Sequence, residues 1–373
     1  MINESQLLRL ASKCPNIRNI RINRPVVNFT LDGANRLAQL WSRVEKLDLD
    51  GSNFKNEVLE NLTLNFPELK KLKINITTRA ELRLFDRIFL NHPNLVDFEC
   101  NFGLFRSGAE RNWFRSCHLP LQRFAVNQLI GEDATLDRLE NCCRGSLRAI
   151  KFEFVSEDKI QIIRRIFFNF QKLNSVSLGI QNYLVLQNQP VLPHLEKLCL
   201  SPFEGGKTET LIGFLKAYPQ MKELHLERWR VEDDLMEKIA TSLPNLRSLS
   251  FFVSRFTPAT LMKLTSLKQL QYFSSGINSR WSVQDIQAFI RQMPSLQRFT
   301  MWKLNESSNA DFSFLFKSIR DEIRSSGSDR RLWIGRDESR FFPLDSSAAC
   351  SDEAIEKFVT EINQKSRQNI EHC

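Results

Sequence analysis

The sequence is poor in the two residues that break regular structure. Glycine and proline number 13 each among 373 residues, which excludes a collagen-like chain and a long flexible linker. Tyrosine is scarcer still, with 3 residues against 29 phenylalanines. Because phenylalanine has no polar group to keep it at the surface, a chain with this composition needs a large and continuous hydrophobic core.

Long hydrophobic runs and paired cysteines are missing as well. No apolar stretch reaches the roughly 18 residues that a membrane-spanning helix requires. The first residues, MINESQLLRLASKCP, are polar and lack the apolar segment of a secretory signal. The 8 cysteines show no C-x-x-C spacing, which predicts reduced thiols. We therefore expect a cytoplasmic or nuclear protein with no membrane partner.

Sequence motifs of catalysis are also absent. No H-E-x-x-H or G-x-S-x-G segment occurs, and the 5 histidines are scattered along the chain. The segment EGGKT at 204–208 resembles the end of a phosphate-binding loop, but Ser201 stands where that motif needs its first glycine. We expect no enzymatic activity, no cofactor and no bound metal.

The charge balance is basic, with a formal net charge of +9. Such a balance is compatible with an acidic partner, nucleic acid included. The excess is spread along the chain and forms no basic run, which favours a solvated surface over a nucleic-acid-binding tract.

What the sequence does contain is a repeat of the form apolar-x-x-apolar-x-apolar, usually with proline two residues before the first apolar position. Twelve copies are separated by 21 to 29 residues. Their first apolar residues are Ile17, Val44, Leu69, Leu95, Leu121, Leu147, Leu173, Leu195, Met221, Leu246, Leu267 and Leu296. A degenerate thirteenth copy is predicted at 331–334. Self-similarity at a fixed period of this length is typical of solenoid architectures.

Each copy predicts one strand and one helix. The last two apolar positions alternate with polar ones, as in a strand with one buried face. Helices with apolar residues at i, i+3, i+4 and i+7 are predicted between the strands, at 56–66, 80–92, 157–170, 233–243 and 283–293. Ser282 and Asp285 form a predicted N-cap pair for the last of these. Such a unit buries its apolar face only by stacking on its neighbours.

On these motifs the chain resembles leucine-rich repeat proteins, and more narrowly the ribonuclease-inhibitor-like repeats of F-box proteins. The resemblance implies an α/β solenoid, with a curved parallel sheet on the concave face and helices on the convex face. We expect 12 to 13 repeats over residues 1–335, a linker at 336–351 and a C-terminal helix or tail at 352–373.

The resemblance also implies a function, since such repeats serve as substrate receptors of cullin-type ubiquitin ligases. A protein partner on the concave face and a cullin-ligase adaptor are the partners it implies, although no F-box segment is visible before the first repeat. Two other interpretations stay open. The chain could be a scaffold outside the ligase system or a regulator of a small GTPase.

Side chains that flank the last two apolar positions are predicted to point out of the concave face. The candidate partner-binding residues on that face are Lys73, Arg123, Lys151, His225, Glu227, Phe252, Phe273, Arg298 and Trp302.

Three of these residues, Phe252, Phe273 and Trp302, are aligned at one position of successive copies. They predict an exposed aromatic ladder beside Arg298, which is the composition of an interface hot spot. Two alternatives would bury the rings. The C-terminal segment could cover them, or the frame could be shifted by one residue.

Overall fold

The protein is described by a computed structural model, which covers residues 2–22, 26–27, 29–49, 54–76, 83–102, 119–128, 139–155, 160–180, 186–202, 208–277, 281–301, 309–325, 332–337, 340–344, 351–355 and 357–358. The chain forms two compact units. Unit 1 comprises Met1–Gln181 and Gln189–His194, and unit 2 comprises Asn182–Asn188 and Leu195–Cys373.

Unit 1 alternates strands with helices. Its strands are β1 (Ile2–Asn3), β2 (Asn19–Arg21), β3 (Val26–Val27), β4 (Lys46–Leu49), β5 (Lys71–Ile76), β6 (Asp97–Phe102), β7 (Arg123–Gln128), β8 (Ala149–Val155) and β9 (Ser175–Ile180). Its helices are α1 (Glu4–Lys13), α2 (Leu31–Leu40), α3 (Asn56–Leu64), α4 (Arg83–Asn91) and α5 (Ile160–Asn169). Strands β2 and β4 to β9 pair in parallel in chain order, while β1 pairs with β3.

Unit 2 continues the same alternation. Its strands are β10 (Lys197–Pro202), β11 (Glu223–Val231), β12 (Ser248–Ser254), β13 (Tyr272–Ile277), β14 (Arg298–Met301), β15 (Leu332–Asp337) and β16 (Arg340–Leu344). Its helices are α6 (Thr208–Leu215), α7 (Asp233–Ser242), α8 (Pro258–Lys263), α9 (Val283–Gln292) and α10 (Asn309–Ser325), with a 3-10 turn at Leu264–Ser266. Strands β10 to β15 are parallel, and β16 is antiparallel to β15.

These strands confirm the predicted repeat in both units. The degenerate copy at 331–334 forms the start of β15, which pairs with β14 in the same parallel sense as the earlier copies. The predicted linker at 336–351 differs from what is observed, because it contains the end of β15 and the whole of β16.

A recurring backbone contact sets the register between neighbouring copies. The carbonyl oxygen one residue after the first apolar position accepts hydrogen bonds from two successive N–H groups of the next copy. The carbonyl of Arg18, for example, accepts from Glu45 and Lys46, both at 2.9 Å. Equivalent carbonyls are those of Glu45, Lys70, Val96, Gln122 and Arg148 in unit 1, and of Glu196, Lys222, Arg247 and Gln271 in unit 2. Since only backbone atoms take part, the same contact forms in every one of these copies whatever side chains it carries.

The repeated apolar residues form the core of each unit. Leu69, Leu72 and Ile74 are at most 1% exposed, and the equivalent residues of other copies are similarly buried. Where phenylalanine replaces leucine at the middle position, the rings stack between adjacent copies. Phe98 and Phe124 have ring centroids 6.0 Å apart at an interplanar angle of 24°. The phenylalanine excess of the sequence is thus used largely as framework.

One copy is placed differently from the prediction, the one assigned to Leu267. Phe273 pairs in register with Leu249 on one side and Phe299 on the other, so the first apolar residue of this copy is Leu270. Leu267 instead closes the turn that precedes the strand, where its carbonyl accepts from the N–H of Leu270 at 3.0 Å. The frame is shifted by three residues, an odd number, so every side chain of β13 changes face.

The residues after β16 pack against α10. Arg320, which is 5% exposed, forms ion pairs with Asp321 at 2.7 Å and with Asp352. Ile355 is fully buried, and the rings of Phe316 and Phe358 lie 6.3 Å apart. The start of the predicted C-terminal helix therefore covers apolar surface on α10. The segment from residue 359 onward lies outside the described residues.

Gly179 in β9 is required by a close approach of two backbones. The register between β8 and β9 shifts after Phe152, which moves the backbone of Glu153 toward β9. A Cβ atom at position 179 would lie 1.7 Å from the carbonyl oxygen of Glu153. Because backbone cannot rotate away as a side chain does, only glycine fits at this position.

We predict that Gly179→Ala destabilises the protein by about 2 kcal/mol or more, since the added methyl group forces two paired strands apart. Chemical denaturation monitored by circular dichroism measures the change. Gly213→Ala in α6 is the matched control, because a Cβ atom there meets nothing within 4 Å. The control is expected to be neutral or stabilising by up to about 1 kcal/mol. Equal stability of the two variants would contradict the close approach.

Candidate functional site

The outward face of each sheet carries two rows of side chains in register. In unit 1 the first row is Asn19, Lys46, Lys71, Asp97, Arg123, Ala149 and Ser175. The second row is Arg21, Asp48, Lys73, Glu99, Ala125, Lys151 and Ser177. Adjacent strands lie about 4.8 Å apart, so oppositely charged neighbours in a row meet directly.

The charged residues at the middle of these rows form one cluster, the Arg123 cluster, made of Lys71, Lys73, Asp97, Glu99 and Arg123. The guanidinium of Arg123 lies 2.8 Å from Asp97 and 2.5 Å from Glu99. Lys73 lies 3.0 Å from Glu99, and Lys71 lies 3.7 Å from Asp97. Two of the predicted partner-binding residues are thus brought together in this cluster.

The cluster satisfies most of its own charge. Burial alone would raise the pKa of Glu99, but hydrogen bonds from Arg123 and then Lys73 outweigh burial and hold that pKa below its ordinary value. The carboxylate of Glu99 therefore stays ionised between cations. A partner that used these cations would first have to displace the carboxylates, which makes this surface better suited to stabilising unit 1 than to binding.

Lys151, the third basic residue predicted for binding, is engaged in the same manner. Its ammonium group lies 2.8 Å from Glu153 on the same strand, and both side chains are more than one third exposed. Exposed pairs of this kind contribute little to stability.

In unit 2, His225 lies beside an ion pair on the outward face. Lys197 is 2.5 Å from Glu223, and the Nε2 atom of His225 is 3.6 Å from the same carboxylate. The hydrogen bond from His225 and the pairing with Lys197 lower the pKa of Glu223 to about 2. Glu227 is exposed, with its carboxylate 3.9 Å from the Sγ atom of Cys199. Among the described residues, no group of three histidine, cysteine or acidic side chains is arranged for a metal ion.

The predicted aromatic ladder is wrong at Phe273. This side chain is 0% exposed and points into the core, where its ring lies 5.5 Å from Phe251 and 5.8 Å from Phe299. The physical reason is the three-residue shift of its copy, rather than the one-residue shift considered from the sequence. Phe252 lies in β12 with its side chain outside the described part of the structure, and Trp302 lies outside the described residues altogether.

The shift brings a different set of side chains onto the outward face of unit 2. Tyr272 pairs in register with Arg298, and Arg298 pairs with Trp333. Tyr272 and Trp333 are half-buried and Arg298 is exposed. We name these three residues the aromatic–arginine row. Ser274 and Thr300 in the adjacent second row are fully buried.

Tyr272 is the residue that the sequence pattern missed. Counted from Leu267, it occupies an inward apolar position, whereas counted from Leu270 it points outward. A usable signal was present in the spacing, because the distances of 21 and 29 residues on either side of Leu267 are the extremes of the series. With Leu270 as the first apolar residue of this copy, both distances fall within the range of the other copies.

Comparison with solved structures supports this architecture. Rad7 in its complex with Elc1 from yeast is 14% identical, with a TM-score of 0.52 over 83% of this chain and 81% of that chain. The chain has the leucine-rich repeat fold. An internalin from Listeria monocytogenes gives a TM-score of 0.42 at 16% identity, over 84% of this repeat protein and 79% of the internalin. TLR13 in complex with a single-stranded RNA gives 0.36 at 12% identity, over 79% and 40%.

Sequence comparison gives no further relative of this leucine-rich repeat chain: no protein-family model matches it, and no curated protein matches it. Within the described segments, no helix combines the length and the apolar composition needed to cross a bilayer.

We predict that Arg123→Ala raises the pKa of Glu99 and destabilises the leucine-rich repeat fold by about 1 to 2 kcal/mol, because it leaves two half-buried carboxylates facing each other. Because the pKa of Glu99 is lowered by folding, its stabilising contribution in the wild type is lost as the pH falls below 4.5, its ordinary value. Carbon-detected NMR titration of Glu99 measures the first effect and urea denaturation the second.

Lys151→Ala is the matched control for this prediction, since it removes an exposed cation of the same sheet face. We expect it to change stability by less than about 0.5 kcal/mol. An unchanged Glu99 pKa in the Arg123 variant would show that the cluster does not hold that carboxylate in its charged form.

Proposed function

We propose that the chain is a protein-recognition module and has no enzymatic activity of its own. The observation that carries this proposal is the aromatic–arginine row of unit 2. Tyrosine, tryptophan and arginine are the residues most enriched in the energetically dominant centres of protein interfaces. Their rigid side chains bury a large area on binding at a small cost in conformational entropy.

The charged side chains on the outward faces of the two units have different neighbours along their rows. In the Arg123 cluster of unit 1, each cation already lies beside a carboxylate. In the aromatic–arginine row, the side chains that neighbour Arg298 along the row are rings, Tyr272 on one side and Trp333 on the other. A partner surface with an acidic or apolar centre is the one that this row would complement.

We further propose that the module selects substrates for a cullin-type ubiquitin ligase. The resemblance of the repeat to that of F-box proteins supports this interpretation. So does the structural similarity to Rad7, which was crystallised with Elc1. Because that similarity is one of fold, the ligase assignment depends on whether this chain binds an adaptor.

The row is tested with the triple variant Tyr272→Ala, Arg298→Ala, Trp333→Ala. We expect it to weaken the binding of a partner isolated with the wild-type chain by about thirtyfold or more, which corresponds to the loss of at least one hot-spot side chain. Partners are identified by affinity purification and mass spectrometry, and their affinities are then measured with purified proteins by isothermal titration calorimetry.

The control is the pair Lys151→Ala, Glu153→Ala, which removes an exposed ion pair from the outward face of unit 1. We expect this variant to bind as the wild type does. If the triple variant keeps full affinity while its circular dichroism and thermal unfolding are native, the row is not the binding surface.

The ligase assignment is tested separately, with purified Elc1 and with the F-box-binding adaptor of cullin ligases. We expect the full chain to co-elute with one of them in size-exclusion chromatography, and Rad7 serves as the positive control for Elc1. If neither adaptor binds while Rad7 does bind Elc1, the ligase assignment is wrong, and only the proposal of a protein-recognition module remains.

A further inference from the structure

Two cationic side chains of unit 1, those of Arg148 and Lys172, contact the same backbone carbonyl oxygen. The Nη1 atom of Arg148 lies 3.3 Å from the carbonyl oxygen of Gly145, and the Nζ atom of Lys172 lies 3.2 Å from the same oxygen. Arg144 is exposed and adjoins Gly145 in the chain. In the described residues, none of these three cations has a carboxylate within ion-pair distance. We name Arg148, Lys172 and the carbonyl they share the Gly145 clamp.

The same unit shows what such a pair of cations holds elsewhere. Glu45 occupies the same position in its copy as Arg148 does, one residue after the first apolar position. Its carboxylate lies between cations of the two adjacent copies, 2.9 Å from Arg18 and 3.0 Å from Lys70. Hydrogen bonding and charge from Lys70, together with Arg18, lower the pKa of Glu45, so the carboxylate is held in its charged form.

At the Gly145 clamp the cations are present and the carboxylate is missing. The neighbours of Arg148 in its row are Gln122 and Asn174, which are uncharged. Lys172, two residues before Asn174, extends to the carbonyl of Gly145. A backbone carbonyl carries only a partial charge, so it offsets the repulsion between two full positive charges less well than a carboxylate does.

The clamp also has room for a ligand. Gly145 is exposed, and a Cβ atom built on it would meet nothing within 4 Å. The space at the Cα atom of Gly145 is therefore open, on the residue whose carbonyl oxygen contacts both Arg148 and Lys172. The negative charge of an oxyanion bound there would take the role that Glu45 plays between Arg18 and Lys70.

We propose that Arg148 and Lys172, at the Gly145 clamp, form a docking site for a carboxylate of an acidic segment in a protein partner. The site is distinct in residues from the aromatic–arginine row, and it rests on the proposed function only in that the ligand belongs to a protein. It would add a charge-dependent contact that fixes the orientation of the bound partner.

The arrangement favours an acidic peptide over nucleic acid. Nucleic-acid binding depends on many cations that follow successive phosphates. Of the cations in the first copies, Arg18 and Lys70 already share the carboxylate of Glu45, and the positions next to Arg148 carry amides. Two converging cations match one or two adjacent carboxylates. Within the chain, the group that lies between two such cations, Arg18 and Lys70, is the carboxylate of Glu45.

The test uses the full chain and a fluorescein-labelled hexaglutamate peptide, with binding followed by fluorescence anisotropy at low ionic strength. We expect saturable binding that weakens with added salt and weakens by roughly fivefold to twentyfold in the variant Arg148→Ala, Lys172→Ala. Both side chains are at the surface, so the fold is expected to survive, and thermal unfolding checks this.

The matched control is the double variant Arg18→Ala, Lys70→Ala. It removes two cations of the same unit that already form ion pairs with Glu45. It should bind the peptide as the wild type does. An equal loss in both variants would show only a general effect of net charge and would overturn the proposal, as would unchanged binding in the Arg148 variant.

Tighter binding of a single-stranded RNA oligomer, lost in the same variant, would assign the clamp to nucleic acid instead. Because the aromatic–arginine row stays intact throughout, failure here would leave the proposed recognition function untouched.

Discussion

The rest of the structure depends on one backbone contact, in which a single carbonyl oxygen accepts hydrogen bonds from two successive N–H groups of the next copy. This contact appears at Arg18 and recurs as far as Gln271. It fixes which residue of each strand stands beside which residue of its neighbour, and hence which side chains share a row on the outward face. The Arg123 cluster, the aromatic–arginine row and the pairing of Arg18 with Glu45 all follow from that register. Apolar burial stabilises each copy and selects this register, since a shift by one residue would move the apolar side chains of a strand to the outward face.

The fold could be predicted from the sequence because its two main signals are local and repeated. The period near 25 residues and the alternation of apolar and polar positions identify the strands, and the capping box of Ser282 and Asp285 was visible as a pair of residue types three apart. The candidate site was harder to predict. Several copies have a further apolar residue three positions before the first one, such as Phe66, Leu243 and Leu267, and that residue closes the turn before the strand. The motif therefore fits in two frames. In β13, Ser275 points inward and Tyr272 points outward. Because serine is polar and tyrosine is aromatic, the pattern of apolar residues favours the frame that begins at Leu267.

The two units use the same outward positions in different ways. In unit 1 the rows bring charges of opposite sign together, and the carboxylates of Glu99 and Glu45 remain ionised between cations. In unit 2 the rows bring an arginine between two aromatic rings, next to small hydroxyl residues. Sequence composition reports neither arrangement, because a net charge of +9 does not say which charges are paired. The Gly145 clamp is recognised by comparison with the ion pairs of Glu45 in the same unit. It has two cations, as that group does, but no carboxylate between them.

The register contact has an evolutionary consequence, because it leaves the identity of the outward side chains free. Neither the double hydrogen bond nor the inward apolar residues constrain what stands in the two outward rows. A substitution at an outward position outside a charge cluster such as that of Arg123 alters the recognition surface with little effect on the scaffold, and one copy is able to diverge while its neighbours stay as they are. The array thus behaves as a set of interchangeable surface elements, and a new specificity could be assembled on it row by row.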